Sequence, residues 1–125
     1  PRDRIRAVVD ATLGPTQFER RTSSVWLAFW AQVPTSPRFA RIQRIYEARL
    51  LSNLRAGYRG HPGLGPLGGE EAARLAALTA AMIDGLWLRA TLSADAEAGE
   101  EARRTALDFV DGRLALLDLA LLRRG

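Results

Sequence analysis

The chain contains no cysteine, which excludes disulfides and thiolate chemistry. It has one histidine, His61, whereas a metal site built on nitrogen and sulfur ligands needs several such residues. The carboxylates that remain come as adjacent pairs, Glu70-Glu71 and Glu100-Glu101, near the starts of helical stretches, where they complement the helix macrodipole. Neither a metal nor a cofactor is expected. A nucleophile–base pair would have to recruit His61 from a loop rich in glycine and proline, where it reads as an exposed histidine without a role, so no catalytic residue is nominated. The segment GPLGGE at 65–70 lacks the lysine and the preceding strand of a phosphate-cradling loop.

Lysine is absent too. All 18 basic residues are arginines, scattered among 14 acids, and the net charge of +4 comes with no dense basic stripe. Charge alone therefore gives no reason to infer a nucleic-acid contact. No apolar run is long and uniform enough to span a membrane, since even Leu75–Leu92 carries Asp84 and Arg89, and no signal segment opens the chain. With the missing cysteine, this fits a cytoplasmic protein. No segment alternates like a half-buried strand and nothing repeats. At 125 residues the chain is long enough for one domain with a real core. The expected fold is all-α, a helical bundle forming a single domain over residues 1–125.

Helix signals follow one another along the chain. Residues 2–13 place Ile5, Val8, Val9 and Thr12 on one side, and Gly14-Pro15 stops them, glycine suiting a left-handed position. Thr16-Gln17-Phe18-Glu19 has the form of a capping box and starts a short turn. Residues 22–33 form an aromatic helix with Trp26, Phe29, Trp30 and Val33 at helical spacing, closed by Pro34. Ser36-Pro37 is a strong start signal. The long amphipathic helix after it reaches about Arg59, with Phe39, Ile42, Ile45, Tyr46, Leu50, Asn53, Leu54 and Tyr58 in register. Gly60 to Gly69 is loop by composition, with a mobile tip expected. A helix from about Glu70 to Leu92 and a last one from about Glu97 to Leu122 complete the chain, Ser93 or Asp95 being available as the cap between them. In the last helix Leu107, Val110, Leu114, Leu117 and Leu121 make a heptad-like seam.

The helix at 75–92 is apolar nearly all round, so it has to be covered on two sides. Ala77, Ala81 and Gly85 recur every four residues as a strip of small side chains. A glycine in mid-helix costs about 1 kcal/mol relative to alanine, which points to a close approach there. One side fits this chain's own core and the other fits a second copy of the chain; a monomeric bundle would bury both. The aromatics suit plain core, or a cavity between helices of the kind in which bundles house ligands. Asp84, next to Trp87, then needs a partner if it faces inward: Arg55, Arg89, or a cationic ligand held by the tryptophan faces. Aromatic walls suit a quaternary ammonium and equally a flat or greasy molecule.

VWLAFWAQ at 25–32, PRFARIQRIYEARLLSNLR at 37–55 and IDGLWLRA at 83–90 resemble the C-terminal ligand-binding and dimerisation domain of TetR-family transcriptional repressors, the BetI or choline-responsive type in particular. The resemblance covers nearly the whole chain in order. It implies that the last two helices pair with their symmetry mates in a four-helix bundle, making the chain a homodimer. A two-fold interface brings each patch against its own copy, so the interface candidates are Ala77, Ala81, Gly85, Leu107, Val110, Leu114 and Leu117. It implies an effector cavity enclosed by the helices holding Trp26, Phe29 and Trp30 and those holding Tyr46 and Asn53, together with Asp84 and Trp87. It also implies DNA binding, but only through an N-terminal helix-turn-helix that is not in these residues; the chain opens at Pro1 in what resembles the first helix of the ligand domain. The competing readings are a stand-alone helical dimeric binding or assembly module, and an all-α enzyme working with arginines and carboxylates in a cleft.

Overall fold

The computed structural model describes residues 2–64 and 68–124, so positions 65–67, the tip of the Gly/Pro loop, lie outside the described residues. Five helices follow in order: α1 (Arg2–Thr12), α2 (Arg20–Gln32), α3 (Pro37–Arg59), α4 (Gly69–Thr91) and α5 (Ala98–Arg124). Single 3₁₀ turns at Pro15–Phe18 and Pro62–Leu64 separate α1 from α2 and α3 from α4. There is no strand among the described residues, and the all-α expectation holds.

The core lies where α1, α3, α4 and α5 meet. Ile5 and Val9 of α1, Leu54 and Tyr58 of α3, Leu75 and Ile83 of α4, and Val110 and Leu114 of α5 are all at most 2% exposed. The alanines Ala72, Ala76 and Ala80 let α4 lie close between its neighbours α3 and α5. Where α1 crosses α3, a Cβ on Gly57 would stand 2.6 Å from Cγ1 of Ile5, so glycine sets that closeness. The polar pair of Tyr58 and Thr79 in the middle of the core is satisfied. Thr79 donates to the Leu75 carbonyl at 2.8 Å, which leaves the Tyr58 hydroxyl to donate to Thr79 Oγ1, also at 2.8 Å.

Ion pairs register α1 on α5 along its length. Arg2 reaches Asp118 at 3.1 Å and Asp111 at 3.6 Å, Arg6 reaches Asp111 at 2.6 Å, and Arg103 reaches Asp10 at 3.0 Å. All are part-exposed, so each contributes at most about 1 kcal/mol; their use is in fixing which residues oppose one another.

Several local expectations hold. Ser36 caps α3, its Oγ accepting from the Phe39 amide at 3.3 Å. Asp95 accepts from the Glu97 amide at 2.9 Å just before α5. Three others need correction. Gly14 is extended (φ −72°, ψ 167°) rather than left-handed; glycine is there because a Cβ would stand 2.6 Å from the Asp10 carbonyl oxygen. The capping box does not form, since residues 15–18 close as a 3₁₀ turn, the Glu19 amide bonds to the Thr16 carbonyl, and Glu19 itself precedes α2 without a side-chain cap. His61 is buried, not exposed. The turn after it folds the ring against α5, where Nδ1 accepts from the Gly63 amide at 2.9 Å and Nε2 faces Asp118 Oδ1 at 2.8 Å. With Nδ1 accepting, the proton sits on Nε2 and is donated to the carboxylate.

Candidate functional site

A cleft runs between the ends of α1 and α2 on one side and the middles of α3 and α4 on the other. Its inner part is lined by Thr12, Gln17, Trp26, Trp30, Tyr46, Ile83, Asp84 and Trp87. An outer part of about 540 Å³ opens beside it, between Trp30, Val33, Pro34, Gln43 and Asp84. Trp30 and Asp84 belong to both. The inner walls close until little more than water fits, while the outer part stands open.

Helical spacing places the aromatic walls. Trp26 and Trp30 are one turn apart on α2, and Tyr46 faces them from α3, its ring 5.2 Å from Trp26. Trp87 of α4 meets Trp30 edge-on at 5.1 Å. The indole N–H of Trp87 donates to the Gln17 carbonyl at 3.1 Å, tying the 3₁₀ turn to α4. That of Trp30 is buried and has no partner among the described residues, and neither does the side-chain oxygen of Gln43.

Asp84 stands at the junction of the two parts. It makes no ion pair among the described residues, and the arginines considered as its partners, Arg55 and Arg89, both lie on exposed positions. Burial pushes its carboxyl up to about 6, and the Glu47 carboxylate adds to the rise. Burial and Asp84 together raise the Tyr46 hydroxyl. A half-buried carboxylate without a cation, walled by three tryptophans and a tyrosine, is a place where a positive ligand would recover both solvation and charge.

Protonation of Asp84 is therefore coupled to stability, with a definite sign. Its folded-state pKa lies above the ordinary 3.8, so the stabilising effect of the bound proton is full below about pH 4 and is lost as the pH rises through 6. Asp84→Asn removes the cost of an ionised buried group. At pH 8 the variant is expected to melt about 3–6 °C above the parent, roughly 1 kcal/mol once half-exposure is allowed for. At pH 4 the two should melt together. A difference that does not change with pH in thermal unfolding would mean that Asp84 is solvated.

Of the residues nominated from the sequence, Trp26, Trp30, Tyr46, Asp84 and Trp87 line one cleft. Phe29 does not. It stands behind Trp26, packed edge-on against it at 5.9 Å and against Phe39 at 5.3 Å. Asn53 does not either; it is exposed, accepting from Arg4 at 3.4 Å, because two further turns carry α3 past the cleft. The lining residues not nominated are Thr12, Gln17, Val33, Pro34, Gln43 and Ile83. Ile83 shares a helix face with Trp87 and could have been found that way, whereas Thr12 and Gln17 are brought in by the turn after α1, which no periodicity announces.

The nominated interface residues divide as well. Ala77, Ala81 and Gly85 lie on the exposed side of α4, and nothing stands within 4 Å of where a Gly85 Cβ would be. Leu78, Leu88 and Leu92 flank them, also exposed. Leu107, Val110 and Leu114, by contrast, are buried in this chain's own core, and Leu117 is packed against it. The first three have almost no free surface to offer a partner, whereas Leu117 is only partly buried. The large apolar residues that α5 leaves exposed are Phe109, Leu116, Leu119, Leu121 and Leu122.

A cleft between helices with aromatic walls is the kind of place in which helical bundles house ligands. A family model described as "BetI-type transcriptional repressor, C-terminal" matches residues 1–115, and the chain belongs to that family of TetR C-terminal domains. It is similar to the HTH-type transcriptional regulators BetI of Pseudomonas paraeruginosa (38% identical over 115 residues, 92% of this chain and 56% of the relative) and Stenotrophomonas maltophilia (41% over 118 residues, 91% and 56%). It is also similar to BetI 1 of Chromohalobacter salexigens (37% over 115 residues, 92% and 54%). The chain thus spans a little over half the length of these relatives, whose names are those of regulators rather than enzymes. No solved structure matches it. No helix among the described residues is long and apolar enough to cross a membrane.

Proposed function

We propose that residues 1–125 form the effector-binding and dimerisation domain of a cytoplasmic transcriptional repressor, one domain that controls a helix-turn-helix carried elsewhere in the protein. The effector is a small cation held in the cleft between Trp26, Trp30, Tyr46 and Trp87 with its charge against Asp84. The observation that carries this reading is Asp84 itself: half-buried, without an ion-pair partner among the described residues, and facing aromatic walls. Membership of the family supports the regulatory role, and the uncovered apolar faces of α4 and α5 support a homodimer in which they meet their own copies.

The mechanism follows from the closed inner cleft. A cation entering the inner part has to spread α2 and α3 from α4, and α2 follows α1 through the 3₁₀ turn at Pro15–Phe18. Helix-turn-helix dimers read half-sites about 34 Å apart, so a shift of α1 relative to the α4/α5 bundle changes the separation of whatever α1 supports. The effector displaces the equilibrium only by its preference for the spread form over the closed one. The test is operator affinity of the full-length protein, measured by fluorescence anisotropy on its own promoter DNA with a panel of ammonium compounds. A cation is expected to weaken binding at least tenfold in the parent and not in Asp84→Asn. Affinity indifferent to every compound would overturn the reading.

A further inference from the structure

Resting on the cation reading above, the geometry points to an effector that is not a compact ion but an amphiphile: we propose an ammonium head at Asp84 carrying an apolar tail that lies in the outer cavity between α2 and α3. The two parts of the cleft differ in the way such a molecule would need. The inner part is tight, aromatic and closed, and the outer one is larger and open, with Val33, Pro34 and the face of Trp30 as apolar lining. Asp84 borders both, so a charge held there has its substituents directed outward without leaving the carboxylate. A compact cation would fill only the junction, leaving the outer walls wet. Tail methylenes laid on Val33 and Pro34 remove that surface from water, and each adds affinity in proportion to the area covered.

Trp30 and Gln43, which line the outer part, each carry a buried polar atom without a partner among the described residues, the indole N–H and the side-chain oxygen. One is a donor and the other an acceptor. A hydroxyl, ester or amide near the head that uncovered either atom would give it a partner, so a polar linker between head and tail is compatible with the site. A second charge is not. A carboxylate on the tail would lie beside Asp84, with Glu47 close by, and be repelled by both.

The test is the affinity of this chain for tetramethyl-, butyltrimethyl-, hexyltrimethyl- and octyltrimethylammonium below their micellar concentrations, followed by tryptophan fluorescence at pH 8. Affinity is expected to rise about two- to fourfold per methylene, then level off once the tail outgrows the outer cavity. Val33→Ser should flatten that rise and leave tetramethylammonium binding unchanged, and Asp84→Asn should weaken every member of the series by a similar factor. Tetramethylammonium bound as tightly as the longer ions would overturn the tail while keeping the cation. A rise that continues unabated and is the same in Val33→Ser would mean surface adsorption, and would also overturn it. Binding of none of the four, or binding to which Asp84→Asn makes no difference, would instead overturn the cation reading on which the tail depends.

Discussion

Gly85→Leu is expected to convert a dimer into a monomer. The position lies in the C-terminal half of α4 on its exposed side, with Ala81 and Ala77 one and two turns before it and, its own helix backbone aside, nothing within 4 Å of a Cβ there. Within one chain, leucine has room and favours the helix by about 1 kcal/mol, so the fold gains from the change. In the dimer the same side chain fills the strip along which the partner helix approaches. Overpacking costs about 1–3 kcal/mol and occurs twice across a two-fold interface, which amounts to roughly a hundredfold or more in the dissociation constant. Light scattering on parent and variant decides. A parent dimer with a monomeric, well-folded variant supports the α4 strip as the interface. A parent that is already monomeric removes the dimer, and a variant that still dimerises moves the contact off α4.

Leu114→Ala is expected to cost about 2–5 kcal/mol in unfolding free energy, the range for emptying a fully buried leucine site. Leu114 is wholly buried in the core and touches no outer surface. Its near neighbour on the outer side, Leu116, is 55% exposed, so Leu116→Ala should change unfolding of the single chain by well under 1 kcal/mol. The dimer constant should respond the other way round, with Leu116→Ala weakening association directly and Leu114→Ala acting only through lost folding. Urea unfolding at low protein concentration, set beside light scattering at high concentration, separates the two effects. If Leu114→Ala left unfolding untouched, the inward direction of the seam would be wrong.

These two leucines mark where reasoning from periodicity stops. The seam at Leu107, Val110 and Leu114 is visible in the sequence, and so are the apolar residues beside it at Phe109 and Leu116. Spacing says that both lie on stripes of one helix; it does not say which stripe the chain keeps for itself. That is decided by packing, since Ile5 and Val9 of α1 close over Val110 and Leu114, with Arg2 and Arg6 pairing with Asp118 and Asp111 at the rim. No local signal ties residue 2 to residue 118. His61 shows the same limit. A histidine between glycines and a proline looks like a solvated loop, until the loop closes on α5 and gives both ring nitrogens a partner.

The cleft was legible where it is built from single helices. Trp26 and Trp30 are adjacent by the helical repeat, and Asp84 and Trp87 likewise, so each pair could be named without coordinates. Phe29 was drawn in by the same repeat and misplaced by it, since a residue one position before Trp30 turns about 100° away.

Composition and pattern alone determine that residues 1–125 of this protein are built of helices and contain no cysteine and a single histidine. They also determine that it carries an apolar central helix with two kinds of face, since these depend on residue type and on a repeat of 3.6. Tertiary structure alone decides which faces are kept inside, how Thr12, Gln17 and Gln43 come to join the aromatic cleft, and that Asp84 is left without a counter-charge among the described residues. Those depend on pairings between helices far apart in the chain, set by how side chains of unequal size close-pack against one another.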